Sequence, residues 1–188
     1  TFTIQPDSLA GCAASLGNGL CLKKTTNVDP SLQADTAKED LTVVPEVERR
    51  NKSAPPDVAE VLQGFAPVSR SFGEVFDLSS HAAVIKMMML RFGRSPSDMF
   101  ETVEATKTGY RITMKDGFEV TLSAQELQRT CEASRLTGPD APMGADANFM
   151  LAAYVKGKQV KSNVPFDTAL SSSLQGAHVY GLLKGMGV

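Results

Sequence analysis

The clearest hydrophobic pattern along the chain is an apolar run from Ser79 to Phe92. The run leaves almost no polar face, which is typical of a buried helix. Its apolar residues are Ala82, Ala83, Val84, Ile85, Met87, Met88, Met89, Leu90 and Phe92. Gly93 ends this predicted helix. A shorter helix is predicted before it, because Asp57 caps a segment that is apolar on one side and that Gly64 ends.

An alternating pattern in the middle of the chain predicts a β-hairpin. Apolar and polar residues alternate over residues 110–115 and again over residues 118–122. Asp116-Gly117 between these runs predicts a two-residue turn. Ser123 and Glu126 then match a capping box, so we expect a helix from there to about Ser134.

Shorter elements are predicted in the rest of the chain. They are a helix that starts at Ser97 and Asp98 and runs to Glu104, a loop at 138–140, a helix over Asp146–Lys156, a short strand at Val164 and Phe166, and a late strand over His178–Lys184. A buried helix is thus followed by a hairpin, further helices and a late strand. This order predicts an α+β fold rather than a repeated βαβ arrangement.

The first third of the chain differs in character from the rest. Glycines break up its beginning, and the stretch over residues 31–53 is polar and charged. Pro55-Pro56-Asp57 then marks a boundary. We therefore expect an extended arm or a partly disordered leader at residues 1–56 and one α+β domain at residues 57–188.

Charge and composition argue against several classes of partner. A net charge of −2 provides no general attraction to nucleic acid or to an anionic membrane. The densest apolar run, Ala82–Leu90, is interrupted by Lys86 and is shorter than a membrane span. The chain begins at Thr1 with no visible signal peptide, and a trimmed or processed start is one interpretation of this. We expect no nucleic-acid partner and no membrane span.

Few cysteines and histidines are available for chemistry. Cys12, Cys21 and Cys131 are too few for a disulfide framework, and a Cys12–Cys21 pair is an alternative only in an oxidising compartment. None of them has a second cysteine or a histidine at metal-ligand spacing. Cys12 is an alternative nucleophile, although no strand or long helix frames it. No metal or other cofactor is expected.

Two segments together have the layout of a cysteine hydrolase. Such an enzyme places its nucleophile at a helix N-terminus, which favours the thiolate, and takes a general base from elsewhere in the chain. Ser79-Ser80-His81 begins the predicted buried helix, and His178 begins the predicted late strand. The region from about Phe72 to Leu183 resembles the papain-like cysteine hydrolases, and in particular a bacterial calpain-like group. The matching stretches are residues 83–86, 109–113 with 116–117, 120–123 with 126–127, and 147–154.

This resemblance implies a papain-like fold, with a buried central helix packed against an antiparallel sheet. It also implies hydrolysis of a peptide, isopeptide or amide bond in a protein or peptide substrate. The family's nucleophile position falls at Ser79, or at Ser80 after a shift of one residue, and its base falls at His178. Gln63 is the upstream candidate for the oxyanion residue. The polar leader and the bacterial resemblance predict a secreted effector or toxin.

Serine at the nucleophile position departs from the family pattern. An unperturbed serine hydroxyl is a poor nucleophile in a thiol enzyme's site, and an engineered Cys→Ser change or a natural pseudoenzyme would explain it. The spacing from Gln63 to Ser79 is long for an oxyanion residue, and no Asn or Asp follows His178. Structural roles are also open, because serine is a favoured helix cap and histidine often packs in a core. Three hypotheses follow: an inactive hydrolase, a catalytically dead partner-binding module of the same fold, and an unrelated α+β interaction domain.

Overall fold

The computed structural model describes residues 56–68 and 71–188. The interpretation of residues 1–55 as an arm, the Cys12–Cys21 pair and the Cys12 nucleophile lie outside the described residues. In chain order the elements are α1 Val58–Gly64, β1 Ala66–Pro67, α2 Ser79–Phe92, α3 Pro96–Met99, β2 Thr102–Ala105, β3 Gly109–Thr113, β4 Glu119–Ser123, α4 Ala124–Ser134, β5 Leu136–Thr137, α5 Ala141–Ser162, α6 Phe166–Ser173 and α7 Val179–Gly185. Among these helices, none is both long enough and apolar enough to cross a membrane.

Two antiparallel sheets accompany the helices. One is a three-stranded meander in the order β2-β3-β4, and the other pairs β1 with β5. Helices and antiparallel sheets in one unit confirm the predicted α+β class. Asp57 caps α1 through a bond from the Ala59 amide, and Ser123 and Glu126 form the predicted capping box at the start of α4.

The predicted hairpin is formed by β3 and β4. Its buried cross-strand pairs are Tyr110–Leu122 and Ile112–Val120. The turn is longer than the two residues predicted, because the Met114 amide donates to the Phe118 carbonyl at 2.9 Å and leaves three residues between them. Gly117 has a φ of +83° and supplies the left-handed residue that a three-residue hairpin loop needs.

Helix α5, and not α2, is the central helix of the molecule. Its side chains are buried almost without interruption from Met143 to Val155. It packs against β4 and against α1, α2, α3, α4, α6 and α7. The ring of Phe149 meets the ring of Tyr110 edge-on, with 5.0 Å between centroids, and so joins α5 to the meander. The sequence pattern located this helix but predicted too short a span, residues 146–156.

Helix α2 has the predicted bounds but is buried on one side only. Its buried residues are His81, Ala82, Val84, Ile85, Met88 and Met89. Ala83 and Met87 are exposed, and Met87 keeps half of its surface. The main neighbours of α2 are helices α1, α3, α5 and α7 and strand β1, which all cover its inner side. The prediction that this helix is buried on all sides is therefore wrong for α2.

Three predicted segments have a different structure. Ser95 and Asp98 cap α3, which ends at Met99, and residues 102–104 belong to β2 and not to a helix. Residues 164–166 form no strand, because Phe166 begins α6. Residues 178–184 were predicted as a strand and instead contain α7, in which the Leu182 amide donates to the His178 carbonyl at 3.0 Å.

Candidate functional site at the start of helix α2

The predicted nucleophile position is the first residue of α2. The Ser79 amide donates to Asp77 Oδ1 at 2.9 Å, and the Ser79 hydroxyl donates to the same oxygen at 2.5 Å. Leu78 occupies the N-cap position, so neither Ser79 nor Ser80 caps the helix. The Asp77 carboxylate thus occupies the positive end of the helix, where an anion is favoured.

The segment before α7 is anchored at the same place. The Asp77 amide donates to the Leu174 carbonyl at 2.8 Å, and a Cβ built on Gly176 would lie 3.7 Å from the Asp77 Cβ. His178 follows Gly176 by two residues, is exposed, and occupies the N-cap position of α7. Ser79 and His178 therefore lie at the same end of α2. Within residues 56–68 and 71–188, no hydrogen bond joins a histidine ring to Ser79.

Gln63 lies at the other end of α2. It lines a cavity of about 470 Å³ together with Arg94 and Asp140. Arg94 comes two residues after the end of α2, whereas Ser79 is its first residue. A helix of 14 residues is about 21 Å long. The structure does not bring Gln63 to Ser79, and the oxyanion role expected for Gln63 stays a prediction.

His81 is buried beneath the first turn of α2. Only 1% of its surface is exposed, and its ring lies edge-on to Tyr154 with 5.7 Å between centroids. Neither ring nitrogen has a hydrogen-bond partner within the described part of the chain. Burial, with a smaller contribution from the Lys158 charge, lowers the His81 pKa to about 4, and the Asp77 charge opposes this shift. The imidazole is therefore neutral at pH 7 and acts as a packing residue.

Cys131 is the described cysteine, and its environment is unsuited to nucleophilic chemistry. It is 2% exposed in α4, and burial raises the pKa of its thiol to about 12. A reactive thiol needs the opposite shift. In the part of the chain that the structure describes, no three His, Cys, Asp or Glu side chains are grouped closely enough to hold a metal ion.

Asp77, which lies just before α2, is a functional candidate that the sequence pattern did not single out. An acidic residue two positions before a helix commonly accepts a backbone N–H of the first turn, and this spacing is the signal that identifies it. No family model, no curated protein and no solved structure matches this chain. We therefore argue its function from the geometry of the described residues.

Proposed function

We propose that the end of the molecule around Ser79 binds a protein or peptide partner and performs no hydrolysis. The observation that carries this proposal is the Asp77 carboxylate bonded to Ser79. A thiolate or alkoxide at position 79 would lie within hydrogen-bond distance of a like charge, which raises the pKa of a nucleophile. Asp77 also compensates the helix end whose positive potential would otherwise stabilise a thiolate.

Exposed apolar side chains lie next to Asp77 and His178 along the chain. Val75 is 71% exposed two residues before Asp77, and Tyr180 is 77% exposed in the first turn of α7. Val179, also in that turn, is 46% exposed. Exposed aromatic and aliphatic groups near one another are typical of protein-binding surfaces, and tyrosine is enriched among the residues that dominate binding energy. We call Val75, Val179 and Tyr180 the α2–α7 surface, and propose an apolar peptide segment as its ligand.

The papain-like architecture and a secreted location belong to the same proposal. A helix that begins at the nucleophile position and a later antiparallel hairpin support this architecture. The start of a helix at His178, where the family has a strand, departs from it. A catalytically dead member of this class, which retains a site for a peptide, accounts for both the likeness and the departure.

Peptide selection tests the binding proposal. A displayed random-peptide library is panned against the intact chain, and the enriched peptides are titrated by fluorescence anisotropy. Tyr180→Ser and Val179→Ser are expected to weaken binding about tenfold each, because each removes an exposed apolar contact. Val160→Ser is the matched control, since Val160 is 48% exposed on α5. Failure to enrich any peptide, or an equal loss with Val160→Ser, would contradict the proposal.

Hydrolysis is the second candidate function, and one observation favours it. The bond from the Asp77 amide to the Leu174 carbonyl holds the segment before His178 at the same end of α2 as Ser79. A cysteine at position 79 would then meet a histidine after a modest movement of α7. This candidate has a requirement that the binding proposal lacks, namely a thiol activated at neutral pH.

Restoring cysteine separates the two candidates. Under the binding proposal, Ser79→Cys reacts with iodoacetamide at pH 7 no faster than Ser171→Cys, a control at an exposed position of α6. Asp77→Asn in the Ser79→Cys background accelerates the reaction. Hydrolysis instead requires fast labelling of Ser79→Cys that is lost in His178→Ala. The rate of thiol loss, followed by mass spectrometry over pH 6 to 9, distinguishes these outcomes.

A further inference from the structure

A groove of about 290 Å³ lies between the C-terminal half of α5 and helix α7. It is separate from Ser79 and from the cavity at Gln63. Its two walls, α5 and α7, approach closely because glycines lie where the helices meet. A Cβ built on Gly185 would lie 2.6 Å from the Tyr154 ring, and one built on Gly157 would lie 3.8 Å from the Gly185 carbonyl. A Cβ on Gly181 meets nothing within 4 Å, so that wall of the groove stays open.

Among the residues that the structure describes, three lysines and no carboxylate line this groove. They are Lys158 and Lys161 from α5 and Lys184 from α7. Within the described residues none of the three forms a salt bridge, in contrast to Lys156, which reaches Glu126 at 2.7 Å. The Lys161 ammonium lies 4.3 Å from the centre of the Phe118 ring, which holds this side chain beside the hairpin loop. A chain with a net charge of −2 thus gathers unpaired positive charge at one small concave site.

We infer that this groove binds a small phosphorylated molecule, with the phosphate held by Lys158, Lys161 and Lys184 and the body of the ligand against Tyr154. A phosphate monoester carries about −1.5 to −2 charges and three acceptor oxygens, which complements three ammonium groups better than a single carboxylate does. The groove volume is at the lower end of ligand sites, which begin at about 300 Å³, and suits a phosphate with one small ring. Nucleic acid would need a longer basic track than one groove offers.

Titration with sodium pyrophosphate and, separately, with glucose 6-phosphate tests this inference. Amide shifts in ¹H–¹⁵N spectra of the intact chain are expected to cluster on residues 157–162 and 181–185. Lys158→Gln and Lys184→Gln should each weaken binding about tenfold, the loss expected for one charge-assisted contact. Lys107→Gln is the matched control, because Lys107 is exposed in the turn between β2 and β3. Equal affinity in all variants, or shifts spread over unrelated lysines, would overturn the inference.

A second variant tests the shape of the groove without changing its charge. Gly181→Leu adds a side chain where a Cβ has open space, so the fold tolerates it while the groove is partly filled. Binding of glucose 6-phosphate should be lost and binding of pyrophosphate should weaken less. If Gly181→Leu leaves both affinities unchanged, the ligand does not occupy the groove.

His81 provides an independent readout next to the groove. Its charged neighbours are Lys158, which lowers its pKa, and Asp77, which raises it. A phosphate bound to Lys158 offsets the repulsion between the Lys158 ammonium and the protonated His81 ring. The midpoint of the His81 ring titration should therefore move upward with ligand, and this movement should vanish in Lys158→Gln.

Binding to vesicles that contain a phosphoinositide separates two sources of the phosphate. Tighter binding to these vesicles than to glucose 6-phosphate would assign the phosphate to a lipid headgroup. The same affinity for both would assign it to a free metabolite.

Discussion

At the residue scale, the environment of a side chain overrides its chemical type. Ser79 and His81 lie in the same helical turn, yet the Ser79 hydroxyl bonds to a carboxylate and the His81 ring has no hydrogen-bond partner in the described part of the chain. Buried polar atoms without partners are costly, by about 1–3 kcal/mol each. The unpartnered His81 ring therefore lowers the stability of the fold, whereas the bond between Asp77 and Ser79 raises it.

His81→Phe is expected to remove a pH dependence of stability. The native pKa is about 4 and the ordinary value is 6.5, so between these values the unfolded state binds a proton that the native state does not. The free energy of unfolding therefore falls as pH falls from 6.5 toward 4, by on the order of 3 kcal/mol from this group. His81→Phe keeps the edge-on contact with Tyr154 and has no group that titrates at this position. Its free energy of unfolding therefore does not fall for this reason as the pH falls.

Urea unfolding at pH 7, 5.5 and 4.5 measures the difference between the two chains. The advantage of His81→Phe should grow as pH falls, and at pH 7 the variant should be at least as stable as the native chain. His178→Phe, at an exposed position, should follow the native curve. Parallel curves for the native chain and His81→Phe would show that His81 does not have a depressed pKa.

At the element scale, the distance to neighbouring backbone decides which glycines the fold requires. Gly109 begins β3 opposite Ser123, and a Cβ at this position would lie 2.0 Å from the Leu122 carbonyl oxygen. Gly181 lies within α7 and has open space around its Cβ position. The two glycines therefore differ in their effect on stability, since Gly109 permits strand pairing whereas the fold does not require a glycine at position 181.

Gly109→Ala and Gly181→Ala should change stability in opposite directions. Overpacking at Gly109 is expected to lower the free energy of unfolding by at least about 2 kcal/mol, because the clash is with backbone that cannot rotate away. Alanine at Gly181 should raise it by about 0.5–1 kcal/mol, the usual difference between glycine and alanine in a helix. Thermal unfolding followed by circular dichroism measures both, and equal effects would refute the assignment of these contacts.

At the scale of the whole molecule, α5 joins the layers. Phe149 contacts Phe100 at a centroid distance of 6.3 Å and Tyr110 at 5.0 Å, so it links α5 to the end of α3 and to the meander. The buried core runs from Val61 in α1 to Met186 after α7. Elements from both ends of the described chain therefore depend on one helix, and we expect them to unfold together.

Phe149→Ala is expected to destabilise the entire unit by about 3–5 kcal/mol, the usual cost of removing a buried aromatic ring. Met87→Ala is the matched control and should change stability by about 0.5 kcal/mol or less, because half of that side chain is exposed. Far-ultraviolet circular dichroism and tyrosine absorbance should report the same urea midpoint in each variant. Separate midpoints, or a loss similar to that of Met87→Ala, would contradict a single core centred on α5.

Local signals in the sequence were sufficient for several elements. The capping box at Ser123, the cap at Asp57 and the hairpin near Gly117 depend on atoms within a few residues of one another, so a pattern over neighbours predicts them. Residues 178–184 show the limit of this method. A segment of this length fits both an alternating and a helical pattern. The tertiary structure decides between them, because it forms helix α7 here and buries Leu182 of this helix in the core.

What the sequence by itself determined is therefore part of the local structure, namely α1, the hairpin of β3 and β4 and the start of α4, together with the α+β class and the position of Ser79 at the start of α2. Only the tertiary structure decided that α5 is the central helix, that Gln63 lies at the far end of α2, and that the segment before α7 is bonded to Asp77. The reason is physical. Caps and turns arise from short-range hydrogen bonds, whereas burial and the surroundings of a site arise from contacts between segments far apart in the chain, such as Asp77 with Leu174.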